Sequence, residues 1–258
     1  MSIAALILDA DGTLADTEEV HRQAFNAAFR EHGLPWSWSV RDYAALVAIS
    51  GGKERILRYI DSLGEAEPER ARLAQLVAAA HRSKTRIYAE LVAAGGAPLR
   101  PGVERLIHEA RDAGVHVAIA SGTTRKNVEA LIACALGEAA LGWFDVIACA
   151  DEVAQRKPAP DFYRFVLAAL KLPASACVAI EDSAKGLRAA QAAGLYTVVT
   201  PTIWTYGEDF SSAGLVLRSL GDPLAPLDAV SAAAAGGPFL VLSRLDALHA
   251  AWYSKRAA

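Results

Sequence analysis

The sequence predicts an α/β fold: a parallel sheet with helices on both faces, interrupted after its first strand by a helical insertion. Three observations carry this. Short, continuously apolar runs at Ile3–Leu8, Val115–Ala120, Val146–Ala148, Cys177–Ile180 and Thr197–Val199 have the pattern of strands buried on both faces. Helical patterns at Arg125–Leu136, Asp161–Leu170 and Ser183–Ala193 lie between them, and such alternation implies a parallel sheet. From about Thr17 to about Gly96 the alternation stops and only amphipathic helical periodicity remains. Phe25, Ala28 and Phe29 share one face there, as do Ile56, Leu57 and Ile60, then Leu73, Leu76 and Val77. Gly64, Pro68 and Gly95-Gly96-Ala97-Pro98 mark breaks between and after these helices. The expected division is therefore 1–16 with 97–258 as the core and 17–96 as a helical domain. The tail, 236–258, offers one more strand at Phe239–Leu242 and a final helix.

Composition bounds the function. The chain has 258 residues, 53% hydrophobic and 21% charged, which supplies a sizeable core and excludes a mainly disordered chain. A mean hydropathy of +0.22 invites a membrane reading. Charged residues, however, interrupt every apolar run before the ~18 residues a spanning helix needs, and much of the apolar count is alanine. A net charge of −3 gives no general basic surface for a nucleic acid backbone. Neither nucleic acid nor membrane is an expected partner, and an anion must be caught by a local site. Cys134, Cys149 and Cys177 have no zinc spacing and no Cys-x-x-Cys, so all three are expected as small buried hydrophobes. Met1–Leu8 runs directly into Asp9 and Asp11, unlike a signal peptide, and a reducing cytoplasmic location is expected.

In open parallel sheets ligands gather at the carboxyl ends of strands. Asp9-Ala10-Asp11-Gly12-Thr13 follows the first strand, and two carboxylates on a turn loosened by glycine can address one centre. Alone, that pair could equally be surface acids in a solvated turn. Ser121-Gly122 follows the run ending at Ala120, Lys157-Pro158 follows a later strand and loop, and Glu181-Asp182-Ser183 follows Ile180. A lone lysine before proline would be an ordinary surface group; here it arrives with a hydroxyl and two acidic pairs at successive strand ends.

These four motifs, with a helical stretch after the first, resemble the haloacid dehalogenase superfamily of phosphatases over nearly the whole chain, the last twenty or so residues excepted. The resemblance implies a Rossmann-like core with an inserted helical cap of the first (C1) type. It makes Asp9 the nucleophile that forms an aspartyl phosphate and Asp11 the acid that protonates the leaving oxygen and later deprotonates water. It implies Mg2+, a hard ion needing oxygen ligands, on Asp9, the backbone carbonyl of Asp11 and Asp182, with Glu181 bound directly or through water. Ser121 and Lys157 would hold the phosphoryl oxygens. The dehalogenating branch lacks an aspartate at the position of Asp11 and needs no metal, so phosphate esters are the expected substrates.

Glu18 and His21 share a helical face that would suit sugar hydroxyls at the mouth of the site; an ordinary helix start with acids favouring its dipole reads the same way. Ser50-Gly51-Gly52-Lys53-Glu54-Arg55 lacks the first glycine and the Ser or Thr of a nucleotide-binding P-loop. Its Gly-Gly turn before a helix nevertheless offers backbone N–H groups to an anion, and Lys53 adds charge. Gly122, Thr123, Thr124 and Arg125 offer a further anion contact. Asp11-Gly-Thr-Leu-Ala-Asp-Thr-Glu-Glu-x-His21, Trp36-Ser-Trp38, Gly51-Gly-Lys-Glu-Arg-Ile56 and Asn127-Val-Glu-Ala-Leu131 together look like the CbbY branch. In that branch they accompany xylulose-1,5-bisphosphate phosphatases, which clear a misfire product that inhibits Rubisco in the Calvin cycle. A bisphosphate would place one phosphate at Asp9 and the other on distant cations, for which Arg41, Lys53 and Arg125 are candidates. Ser121-Gly122-Thr123 replaces an expected threonine run and the chain end is longer, which leaves the sugar open. Trp36 and Trp38 suit either loop anchors or sugar contacts. Three rivals stand beside the phosphatase. One is a phosphomutase of the β-phosphoglucomutase type. The second is a phosphonate hydrolase using Lys53 as a Schiff base, disfavoured because Glu54 and Arg55 adjoin it. The third is a non-catalytic sugar-phosphate sensor, against which all four motif acids argue. The chain is expected as a monomer or at most a weak dimer.

Overall fold

The computed structural model describes residues 2–257. Strands β1 (Ala5–Leu8), β2 (His116–Ala120), β3 (Val146–Ala148), β4 (Cys177–Glu181), β5 (Tyr196–Val199) and β6 (Leu215–Val216) form one sheet in the order β3-β2-β1-β4-β5-β6. All its pairings are parallel. The chain divides into two compact units, Met1–Asp16 with Pro98–Ala258, and Thr17–Ala97. The smaller contains α1 (Glu18–Glu31), α2 (Val40–Val47), α3 (Gly52–Ser62) and α4 (Glu67–Ala93). The larger contains the sheet with α5 (Val103–Asp112), α6 (Arg125–Leu136), α7 (Asp161–Leu170), α8 (Ala184–Ala192), α9 (Ala229–Ala235) and α10 (Leu242–Ala257).

Every residue of β1, β4 and β5 is buried, which is why these strands are continuously apolar rather than alternating. Much of the alanine lies beneath helices: Ala118, Ala120, Ala148 and Ala179 face Phe162, Tyr163 and Val166 of α7 in one fully buried cluster. Small strand residues opposite large helix residues fill the layer at interior density. The chain builds outward from β1 through β2 to β3, then returns to start β4 on the other side of β1. That reversal is the switch point where open sheets bind ligands. Leu8 pairs with Ile180 there, so Asp9 leaves the sheet beside Glu181.

In the smaller unit Trp38 is fully buried, its ring 4.8 Å from Phe25, 4.7 Å from Phe29 and 5.4 Å from Tyr59. Its backbone N–H donates to Asn26 Oδ1 (2.7 Å) and its carbonyl accepts from Asn26 Nδ2 (2.9 Å). Trp36 packs edge-on against Phe29 and Tyr59. Both tryptophans are loop anchors.

Three expectations need correction. Phe239–Leu242 is not a strand: Leu240 N–H donates to the Leu220 carbonyl and Leu242 already opens α10. The sixth strand is Leu215–Val216 instead, too short to show any period. Leu57 is 41% exposed, because α3 turns Arg55, Ile56 and Ile60 inward. Cys134 is exposed, whereas Cys149 and Cys177 are buried.

Helix α10 docks across the end of the sheet opposite Asp9. Asp246 Oδ1 accepts from Ile3 N–H (2.7 Å), just before β1, and Tyr253 Oη donates to the Gly194 carbonyl (2.7 Å), just before β5. Between them His249 is fully buried against the rings of Tyr196 and Tyr253, with neither ring nitrogen hydrogen-bonded. Burial lowers its pKa and nearby Asp246 opposes this. The folded protein therefore resists a proton that the unfolded chain accepts as pH falls through the ordinary histidine value, and stability drops on the acid side. His249→Phe should melt about 2–4 °C above the wild type at pH 7.5, by relieving two buried unpaired nitrogens. That margin should widen by pH 5.5; melting curves that stay parallel between the two pH values would contradict this account of His249.

Candidate active site

The site grows from the carboxyl ends of β1 and β4. Asp9 N–H donates to the Ile180 carbonyl (2.9 Å), so the residue is still held in the sheet while its side chain clears the strand. A tight turn follows, in which Gly12 N–H donates to the Ala15 carbonyl and Leu14 N–H to the Ala10 carbonyl, both at 2.9 Å. Gly12 has φ +84°, and a Cβ there would collide with the Asp182 carboxylate. Only glycine meets both demands. On the other side, a Cβ on Gly186 would collide with the Glu181 carboxyl. Two glycines thus allow two acids to crowd one point.

Lys157 closes the group. Its Nζ lies 2.6 Å from Asp9 Oδ1 and 2.5 Å from Glu181 Oε1. Tyr163 Oη donates to the same Glu181 oxygen at 2.5 Å, and Glu181 Oε2 accepts the Asp182 N–H at 3.2 Å. Asp9, Lys157, Glu181 and Asp182 are all buried. Burial pushes the Asp9 carboxyl up to about 7; Lys157 pulls it down, while Glu181 and Asp11 push it further up. Burial also works against the Lys157 charge, but Asp9 and Glu181 outweigh it and raise the ammonium pKa. Burial and then Glu181 hold the Tyr163 hydroxyl well above its usual range, so it stays a donor.

Asp9, Glu181 and Asp182 bring carboxylate oxygens within 4.8 Å of one another. The Lys157 ammonium sits against two of these three buried acids, Asp9 and Glu181. A small divalent cation with oxygen preference fits such a donor set, and the glycine cradles leave room for the carboxylates to converge. Asp11 is half-buried one step along the turn.

Ser121 is buried directly after β2, its N–H bonded to the Ala148 carbonyl and its Oγ accepting from Thr123 N–H at 3.3 Å. Gly122 is exposed; Thr123 and Thr124 are half-buried, with Thr123 Oγ1 accepting from Asn127 Nδ2 (2.8 Å) and Thr124 at the N-cap of α6. Arg125 is engaged locally: it pairs with Glu152 and donates to the Ile147 carbonyl (2.6 Å). Within the smaller unit Arg41 and Lys53 are exposed. Glu18 is buried and bound, accepting from Tyr43 Oη (2.6 Å) and facing Arg55 at 3.2 Å. His21 stacks on Tyr88 at 4.1 Å and its Nδ1 accepts from Lys84 Nζ at 2.7 Å.

Sequence reasoning missed Tyr163, Tyr43, Lys84 and Arg100 and gave Arg55 no role. Tyr163 sits inside an apolar helix and looks like core. Lys84 is 63 positions from His21, a distance at which no local pattern operates.

A family model for haloacid dehalogenase-like hydrolases matches residues 3–194. The chain belongs to that family. It is accordingly an enzyme of the phosphatase type, with the parallel-sheet architecture the sequence predicted. It is 51% identical over 213 residues to protein CbbY of Rhodobacter capsulatus, an alignment that covers 83% of this chain and 92% of that one. The crystal structure of CbbY from Rhodobacter sphaeroides in complex with phosphate superimposes with a TM-score of 0.78 at 43% identity, covering 86% of this chain and 98% of that one. A variant of that CbbY in complex with xylulose-(1,5)bisphosphate is similar to the same extent.

Proposed function

We propose that the protein is a Mg2+-dependent sugar-phosphate phosphatase whose substrate is xylulose 1,5-bisphosphate. The observation that carries the chemistry is the buried convergence of Asp9, Glu181 and Asp182 on one point beside Lys157. The similarity to CbbY, one form of which has been crystallised with xylulose-(1,5)bisphosphate, supports the substrate.

Mg2+ held by Asp9, Asp182 and the Asp11 carbonyl, with Glu181 direct or through water, would offset the repulsion between a carboxylate and a phosphate dianion. An Asp9 oxygen attacks phosphorus and the phosphorus–sugar oxygen bond breaks, while Asp11 gives its proton to the departing oxygen. Asp11, now ionised, takes a proton from water as that water attacks the aspartyl phosphate. Inorganic phosphate leaves and Asp9 is restored. Lys157 and Ser121 hold the equatorial oxygens, which is mostly positioning and charge stabilisation.

The test is phosphate release from xylulose 1,5-bisphosphate and from ribulose 1,5-bisphosphate, with Mg2+ and then with excess EDTA. We expect a preference of about 100-fold or more for the xylulose ester, as a site that hydrogen-bonds one hydroxyl configuration gives, and no release under EDTA. Equal hydrolysis of both esters would remove the substrate assignment. Conversion of β-glucose 1-phosphate to glucose 6-phosphate without free phosphate, in the presence of a bisphosphate primer, would replace the phosphatase by a mutase.

A further inference from the structure

Arg100 is 7% exposed, and its guanidinium gathers chain segments far apart in sequence. Nη1 donates to the Gly12 carbonyl (2.5 Å), the Thr200 carbonyl (2.5 Å) and Thr200 Oγ1 (2.9 Å). Nη2 donates to the carbonyls of Pro201 (3.0 Å) and Arg218 (2.8 Å). Nε lies 3.6 Å from Asp16 Oδ1. Thr200 N–H in turn donates to the Glu181 carbonyl at 2.7 Å. One side chain therefore connects the turn after Asp11 to the segment that leaves β5 and, through it, to the end of β4.

The backbone alone already fastens part of this turn, through Arg100 N–H to the Leu14 carbonyl (2.8 Å) and a bridge between Ala15 and Leu99. Those contacts hold residues 14 and 15 directly and reach Gly12 through its N–H on the Ala15 carbonyl, leaving the Gly12 carbonyl to the side chain. The guanidinium adds the grip on the Gly12 carbonyl, at the one residue whose backbone must lie against the Asp182 carboxylate. We propose that Arg100 is a positioning residue: its side chain latches the Gly12 turn to the β5 exit and thereby fixes the spacing between Asp9 and Asp11 on one side and Asp182 on the other. Arginine suits the task because its planar fork presents five donors in fixed directions, whereas a lysine ammonium is a point with three. A buried charge caged mainly by carbonyls, with its nearest carboxylate exposed at Asp16, is a costly way to achieve stability alone.

The catalytic part of the inference rests on the function proposed above; the latch itself does not. Arg100→Gln and Arg100→Lys are compared with the wild type in two assays. In the first, hydrogen exchange on the metal-free protein, amides of residues 12–14 should exchange about tenfold faster or more, while those of β1 and β4 keep wild-type rates. In the second, phosphate release from p-nitrophenyl phosphate with Mg2+ well below the melting temperature, kcat should fall about 100-fold for glutamine and less for lysine, with KM within threefold. If Arg100→Gln does not fold, Arg100→Lys carries both measurements. Wild-type exchange in the turn, or wild-type kcat in a folded variant, would overturn the proposal. Should the wild type itself release no phosphate, the functional reading fails while the exchange result still decides the latch.

Discussion

Lys157→Met is expected to abolish phosphate release and to destabilise the metal-free protein at pH 8 by about 3–5 kcal/mol, the range for breaking a buried ion pair by removing one partner. Packing should survive the change. The Lys157 stem is buried and its ammonium lies 5.3 Å from the Tyr163 ring centre and 6.0 Å from that of Phe162. Methionine matches the stem in length and remains at ease among aromatic rings, so no sizeable cavity opens. What disappears is the charge between Asp9 and Glu181, leaving two buried carboxylates with the Tyr163 hydroxyl as the remaining side-chain donor to Glu181. In the wild type the pairing raises the lysine pKa, so the lysine keeps its charge across neutral pH and its share of the stability is lost only on the alkaline side. In the variant the orphaned acids take up protons instead, and the deficit should shrink as pH falls toward 5. Denaturation at pH 8 and pH 5.5 checks the stability, and p-nitrophenyl phosphate turnover checks the activity, with a loss of about 1,000-fold or more expected if Lys157 stabilises phosphoryl charge as proposed. A variant as stable as the wild type at pH 8 would show that the three side chains do not share their charges as the distances indicate.

The same cluster shows how far the sequence could be read. Asp9, Lys157 and Glu181 follow buried strands or stand in recognisable motifs, and a parallel sheet with its order set by β1 must bring strand ends together, so their convergence was legible. Tyr163 was not: the spacing Phe162-Tyr163-Val166 is what any helix facing a sheet would show, and only the position of its hydroxyl on Glu181 distinguishes it. Arg100 was hidden for another reason. Its acceptors are backbone carbonyls of Gly12, Thr200, Pro201 and Arg218, and a carbonyl carries no sequence signature. Leu57 and Arg55 illustrate a third limit. Apolar periodicity placed Leu57 inward, but the ion pair to Glu18 buries Arg55 and rotates the face by one position, an effect of electrostatics over 37 residues. In each case long-range polar contacts decided what local pattern could not.

Asp9→Asn should give an enzyme that is inactive yet more stable than the wild type without metal, with the order of stabilities reversed by Mg2+. The amide keeps the shape of the carboxyl, so activity should drop about 10,000-fold or more through loss of the proposed nucleophile rather than through disorder. The stability follows from burial, which lifts the Asp9 carboxyl from 3.8 to about 7. The folded protein holds a proton there that the unfolded chain has already released, so the wild type loses stability as pH rises from about 4 to about 7 and stays low above that. Asparagine has no such proton. The variant's advantage should be absent at pH 4, open through that interval and reach on the order of 2 kcal/mol by pH 8, since a tenfold change in proton affinity is worth about 1.4 kcal/mol and the lost contact to Lys157 offsets part of the gain. Adding Mg2+ should stabilise the wild type by mass action, and stabilise the variant less because one of three converging charges is gone. Melting temperatures with and without Mg2+ at pH 8 should therefore cross. Parallel responses to Mg2+ would mean that the cation does not sit among Asp9, Glu181 and Asp182. A wild type more stable than the variant even without metal would mean that Lys157 already neutralises Asp9 in full. If the curves cross, the cost of burying Asp9 is held by the metal-free fold and relieved by the cation that Asp9, Glu181 and Asp182 converge to hold.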